Sequence, residues 1–194
     1  PDDPTRDGHF FEGWYAGRNN DEKWVFSGYA VTENITLVAK WRDLSAELTY
    51  VIEDDKVTIT AYVASDADVV IPSIIEGKPV VAIGARAFES VEIIKSVYIP
   101  ASVTTIGEDA FVECEMLTTV AFAPASNLES IESGVFAYCR RLKDISLPDS
   151  VAVIGDGAFR YCENLKSIDI PASVTAIDTN AFLGCKKLKN IKRK

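Results

Sequence analysis

The stretch Ser102–Leu117, SVTTIGEDAFVECEML, returns as Ser150–Leu165, SVAVIGDGAFRYCENL, and again as Ser173–Leu188, SVTAIDTNAFLGCKKL. Looser copies surround Phe88 and Phe136, so that Phe88, Phe111, Phe136, Phe159 and Phe182 follow one another at spacings of 23, 25, 23 and 23 residues. Ile stands five positions before each Phe, at Ile83, Ile106, Ile131, Ile154 and Ile177, and Val or Leu stands eight before, at Val80, Val103, Leu128, Val151 and Val174. Three positions after come Val91, Cys114, Cys139, Cys162 and Cys185; six after come Ile94, Leu117, Leu142, Leu165 and Leu188; nine after come Val97, Val120, Ile145, Ile168 and Ile191. Self-similarity at a fixed period of this length is the signature of a stacked-repeat architecture. Five repeats are read here.

Each unit carries its own local instructions. Leu165-Lys-Ser-Ile168-Asp-Ile170-Pro171 ends in period-two alternation and is stopped by proline, as a short strand bounded by a turn would be. Val174-Thr-Ala-Ile177 reads as a second extended piece. Ala158, Phe159, Cys162 and Leu165 recur at steps near three, which predicts one helical or 3₁₀ turn. A single coil of this kind cannot bury its apolar side, whereas stacking coils sets Phe on Phe and Ile on Ile, with parallel strands about 4.8 Å apart. The expected fold is a β-rich solenoid.

These residues resemble the BspA-type leucine-rich repeat, and the resemblance covers residues 57–194. Residues 48–88 are similar to the way such arrays begin, with a hairpin at about 48–62 over the first coil, and Ile74–Pro79 lengthen that coil's first turn. At the other end Arg193 stands where earlier units carry Ile99, Phe122, Leu147 and Ile170, so the array is expected to fade or be cut there. Residues 1–42 lack the repeat and resemble the Listeria-Bacteroides repeat, through Gly8, Phe11, Gly13, Trp14, Tyr15 and the closing Ala39-Lys40-Trp41. That family's first strand is missing. Trp14, Trp24 and Trp41 are read as core anchors of this small β module, since aromatic strand residues build cores more often than ligand sites. The expected division is a partial β module at 1–42 and a repeat domain at 43–194.

Composition narrows the function classes. The chain of 194 residues is 47% apolar and 25% charged, the balance of a soluble globular protein, and no apolar run reaches the roughly 20 residues that span a bilayer. It opens on Pro1 without a charged-then-apolar leader and is expected to be a mature fragment or a piece of something larger. Net charge is −9, and setting aside Lys186, Lys187, Lys189, Lys192, Arg193 and Lys194 leaves 14 basic against 29 acidic residues. Such a body repels nucleic acid and anionic lipid. Neither partner is expected.

Catalytic and metal chemistry find little to work with. His9 is the only histidine, and no Gly-rich phosphate cradle occurs. Asp54, Asp55, Asp66 and Asp68 lack the alternating calcium pattern closed by Glu. The four cysteines share one repeat position that Val91 also fills, which favours small buried free thiols over disulfides, and one thiol per coil does not converge as zinc requires. The chain reads as a non-enzyme without cofactor or metal.

The resemblance implies a secreted or surface-anchored bacterial protein that adheres to or binds a host or bacterial surface protein or glycan, expected here as a monomer. A rigid spacer presenting another domain is the alternative. With Ile94, Val97 and Ile99 turned inward, alternation turns Ser96 and Tyr98 outward, and the same offsets give Thr119, Asp144, Ser146, Ser167 and Asp169. Lys95, Lys143, Lys166 and Lys189 flank them. These seven outward residues are the candidate binding face.

Overall fold

The computed structural model describes residues 6, 9–16, 22–25, 34–63 and 65–193. Within residues 56–193 the chain winds as a succession of short strands and turns, each coil contributing one strand to each of two ladders. The first ladder takes Asp68–Val70, Ser96–Ile99 and Thr119–Phe122, then Asp144–Ser146, Ser167–Ile170 and Asn190–Arg193. The second takes Lys56–Tyr62, Lys78–Ile83 and Thr105–Ile106, then Ser130–Ile131, Val153–Ile154 and Ala176–Ile177. Neighbouring coils pair in parallel and in register, as in Val97 opposite Val120 and Ile168 opposite Ile191.

The array begins one coil earlier than the five repeats read from the sequence. Asp68–Val70 pairs with the first full repeat in the repeat's own register, and Val57 and Ile59 lie opposite Val80 and Ile83. Tyr62 then supplies the ring that the Phe column needs at that level, stacked on Phe88 at 5.5 Å. Leu48–Glu53 closes this end as the expected antiparallel hairpin with Lys56–Tyr62. Its turn, Asp54-Asp55, has φ of 49° and 58°, the conformation that matches strand twist in a two-residue hairpin. That role accounts for two of the acids that invited a calcium reading. The lengthened turn after Ile74 is a second small hairpin, with Ile74 opposite Pro79 around Glu76-Gly77.

The core is a set of columns running along the coils. Phe88, Phe111, Phe136 and Phe159 are fully buried, and the rings from Phe88 to Phe182 stack at 4.7, 5.6, 5.6 and 5.5 Å. The corner that carries them is a pair of consecutive turns. Bonds of the i→i+3 kind expected of a 3₁₀ turn are present, as in Ala110 N to Gly107 O and Cys114 N to Phe111 O. Residues in the left-handed region break them apart two positions before Phe, at Arg86, Asp109, Gly134 and Gly157, and two after, at Ser90, Glu113, Tyr138, Tyr161 and Gly184. Each non-glycine residue there costs on the order of 1–3 kcal/mol. The offset comes from neighbouring coils, because the kinked corner aims alternate amides at the next coil: Asp109, Phe111 and Glu113 N–H donate to Ser133, Val135 and Ala137 carbonyls at 2.9–3.0 Å.

The 25-residue unit shows which contacts matter most. Its two extra residues lie in the Ala123–Asn127 loop, where Ala125 adopts φ 56°, and both strand ladders are interrupted between Thr119–Phe122 and the following coil. The corner bonds and the Phe111–Phe136 stack nevertheless cross that junction unbroken. The corner, not the sheets, makes the array continuous.

In the N-terminal module His9–Ala16 pairs antiparallel with Val38–Asp43 and Glu22–Lys23. Phe11 packs against Trp14 at 5.6 Å and Trp41 at 5.4 Å, while Trp24 is held through its backbone N–H to Trp14 O at 2.7 Å. All three tryptophans are only half-buried, so the expectation that they anchor a core needs correction, the small sheet having nothing packed over that face among the described residues. Arg42, the next residue along, ion-pairs with Glu47 and Asp66 at the capped end of the solenoid.

An internal ring touches neighbours on both sides and a terminal one does not: Phe136 is fully buried, Phe182 only half-buried. Phe136→Ala is expected to cost about 3–5 kcal/mol, the range for a packed core phenylalanine, and Phe182→Ala distinctly less. Thermal melts of the two single variants check this, and equal losses would contradict the nearest-neighbour packing described here.

Candidate functional site: the outward columns of the strand face

Burial of alternate residues leaves the other half of each strand to solvent. Val97, Ile145 and Ile168 are buried, while Tyr98, Thr119, Asp144 and Ser146 are exposed and Ser96, Ser167 and Asp169 half-buried. The ladder registers bring these residues together as two patches rather than one. Asp68, Ser96 and Thr119 form one row on the first three strands, with Tyr98 beside it in a row with Val70 and Ala121. Asp144, Ser167 and Asn190 form a row on the last three, beside Ser146, Asp169 and Lys192. The interruption at the 25-residue unit separates the patches, so Thr119 and Asp144 are not paired. A cleft of about 480 Å³ opens at that junction, lined by Phe122, Pro124, Ser126, Ser146, Pro148 and Ser150 among others. The spacing of 25 was visible in the sequence, but no residue-level signal announced a cleft.

Within each patch a serine hydroxyl donates to the aspartate one coil before it: Ser96 Oγ to Asp68 Oδ1 at 2.5 Å, and Ser167 Oγ to Asp144 Oδ1 at 2.6 Å. Two carboxylates are thereby oriented. Each keeps lone pairs for a ligand that donates hydrogen bonds.

The charged columns at the edges differ in kind. Four residues after Phe, Glu115, Arg140, Glu163 and Lys186 alternate in sign and close on one another at 3.0, 3.1 and 3.2 Å. Beside them Tyr138 and Tyr161 stack at 5.0 Å, with the Arg160 guanidinium 5.3 Å from the Tyr161 ring. Seven residues after Phe, the column reads Lys95, Thr118, Lys143, Lys166 and Lys189, and its four lysines are exposed.

The cysteine column has a feature that spacing could not show. Cys114, Cys139, Cys162 and Cys185 donate Sγ–H to the carbonyls of Phe88, Phe111, Phe136 and Phe159 one coil back, at 3.0–3.2 Å. They are free thiols, and the thiol is therefore a filler that also ties successive corners together. Expecting all four to be buried needs correction at Cys185, which is half-buried because no coil packs beyond it among the described residues. Among the described residues no cluster of His, Cys, Asp and Glu could hold a metal, and no helix is long and apolar enough to cross a membrane.

Comparison with known proteins places the chain in context. The model of the BspA type leucine-rich repeat region matches residues 67–192 in six copies, and that of the Listeria-Bacteroides repeat domain matches residues 1–40. A solved leucine-rich repeat protein of T. pallidum is 32% identical with a TM-score of 0.72, over 76% of this chain and 69% of that one. A leucine-rich cell surface protein of Faecalibacterium prausnitzii is 34% identical with a TM-score of 0.70, over 76% of this chain and 38% of that one. A putative membrane protein of Evansella cellulosilytica is 49% identical over 41 residues, 21% of this chain and only 6% of that protein's length.

Burial raises the Cys114 thiol to about 12 and the Cys185 thiol to about 11, and pushes Cys139 and Cys162 well above the ordinary thiol value. The thiolate is the reactive form, so a raised pKa keeps all four protonated and slow near neutrality. On raising the pH, Cys185 is expected to be alkylated first in native protein, with four thiols titrating after denaturation. Fewer than four in the denatured protein, or Cys139 reacting ahead of Cys185, would contradict this column.

Proposed function

The chain belongs to the BspA-type leucine-rich repeat family, and from that premise we propose that it is a non-catalytic, extracellular bacterial protein, displayed at the surface or secreted, that binds a host or bacterial surface protein or glycan. It does so as a monomer, with residues 43–194 as the binding domain and 1–42 as an accessory β module. The observation that carries this reading is the pair of rows on the last three strands, Asp144–Ser167–Asn190 and Ser146–Asp169–Lys192, brought together by the parallel register of the ladder, with Ile145 and Ile168 buried beneath the first two strands. Preorganised polar groups lose little entropy on binding, which favours affinity. The resemblance to a Faecalibacterium protein described as a cell surface protein supports the location. The earlier patch around Ser96, Tyr98 and Thr119 provides a second contact zone with an exposed aromatic ring at its centre.

A spacer reading draws on the Arg42 ion pairs with Glu47 and Asp66, which tie the small module to the capped solenoid. The two readings part on one experiment. Asp144→Lys with Asp169→Lys should shift stability by no more than about 0.5 kcal/mol at exposed Asp144, somewhat more at half-buried Asp169, and should abolish adhesion to host cells or matrix. A wild type that adheres and a double variant that adheres equally well would place the binding surface elsewhere.

A further inference from the structure

We propose that the lysine edge of the last coils is a docking strip for an anionic polysaccharide, a ligand class that rests on the reading of this strand face as the binding surface. Lys143, Lys166 and Lys189 hold one repeat position on three successive coils. Backbone bonds from Lys166 N to Lys143 O at 2.7 Å and from Lys189 N to Lys166 O at 3.2 Å set them one rung apart, about 4.8 Å in a parallel ladder. All three are exposed, and none takes part in an ion pair among the described residues. Lys166, Lys187, Lys189 and Asn190 line a cleft of about 280 Å³, with Lys187 Nζ donating to Asn164 Oδ1 at 2.6 Å.

The column three residues earlier is the internal control. There, on the same coils, Glu115, Arg140, Glu163 and Lys186 neutralise one another. A surface kept charged only for solubility has that mixed pattern available, and the lysine column departs from it, leaving a line of uncompensated ammonium groups on a molecule of net charge −9.

The neighbouring rows select among anions. Asp144 follows Lys143 in the chain and Asp169 stands three residues beyond Lys166, on the strands these lysines lead into, so a duplex nucleic acid or an anionic bilayer, negative across its whole surface, meets repulsion on this face as well as from the acidic body. A linear polysaccharide with sulfate or carboxylate groups along one edge and hydroxyls along the other matches both rows: its anions on the lysines, its hydroxyls donating to the Asp144 and Asp169 carboxylates.

The test measures binding of the full chain to heparin, to hyaluronan and to neutral dextran at 50 and 300 mM NaCl. Wild type is expected to bind one or both anionic chains, to lose that binding at the higher salt, and to ignore dextran. Lys143→Gln with Lys166→Gln and Lys189→Gln should weaken binding at least tenfold and lower the salt dependence by two to three released counterions. Arg193→Gln with Lys194→Gln, outside both rows, serves as the control for a nonspecific basic end and should change binding less than threefold. No binding to either anionic chain, a triple variant that binds as wild type does, loss that follows the Arg193 and Lys194 changes instead, or equal affinity for duplex DNA or phosphatidylglycerol vesicles would each overturn the strip. None of these outcomes touches the adhesion experiment, in which the lysines are intact and the aspartates are reversed.

Discussion

The structure depends on the contact between one phenylalanine corner and the next. A ring stacked about 5 Å from its neighbours removes both faces from water, and burying a side chain of that size contributes roughly 1.5–3 kcal/mol. The corner around it adds backbone bonds from coil to coil at three alternate residues, and a thiol or valine fills the space behind. Where the 25-residue unit breaks both strand ladders, this corner still joins Phe111 to Phe136. The strands therefore follow from the corner rather than the reverse.

Because each coil touches only its neighbours, stability is close to a sum of coil and interface terms, and an uncovered end is the weak point. The N-terminal end is closed by the Leu48–Tyr62 hairpin and by Tyr62 itself, which places a ring over Phe88. At the other end Phe182, Cys185 and Leu188 are only partly covered and Ile191 is exposed. The same gradient explains why the Cys185 thiol is raised less than that of Cys114.

Most of the core was legible in the sequence because a stacked repeat writes each contact five times: Ile106, Phe111, Leu117 and Val120 are buried in the positions their spacing assigned. What escaped lies outside that redundancy. Tyr62 belongs to the ring column but sits in a hairpin without the motif around it. Ser90, Glu113, Tyr138 and Tyr161 adopt left-handed backbone that sequence reading expects of glycine, and only inter-coil bonding holds them there. Strand alternation assigned the outward residues of the face to solvent, yet their division into two patches depended on how a two-residue insertion is absorbed, a question of packing. The lysine column was visible as spacing; that its charges go unpaired while the neighbouring column closes on itself emerged only from the side-chain geometry.

Native-state amide hydrogen exchange, resolved by residue, tests the corner most directly. If inter-coil corner bonds carry the array, the slowest amides are those of Phe88, Phe111 and Phe136, with protection at Phe111 as high as at its neighbours despite the broken ladders, and a decline towards Asn190–Arg193. Rapid exchange at Asp109, Phe111 and Glu113 beside well-protected strand amides in both flanking sheets would contradict the account, because the array would then be held by its sheets and divided at the 25-residue unit.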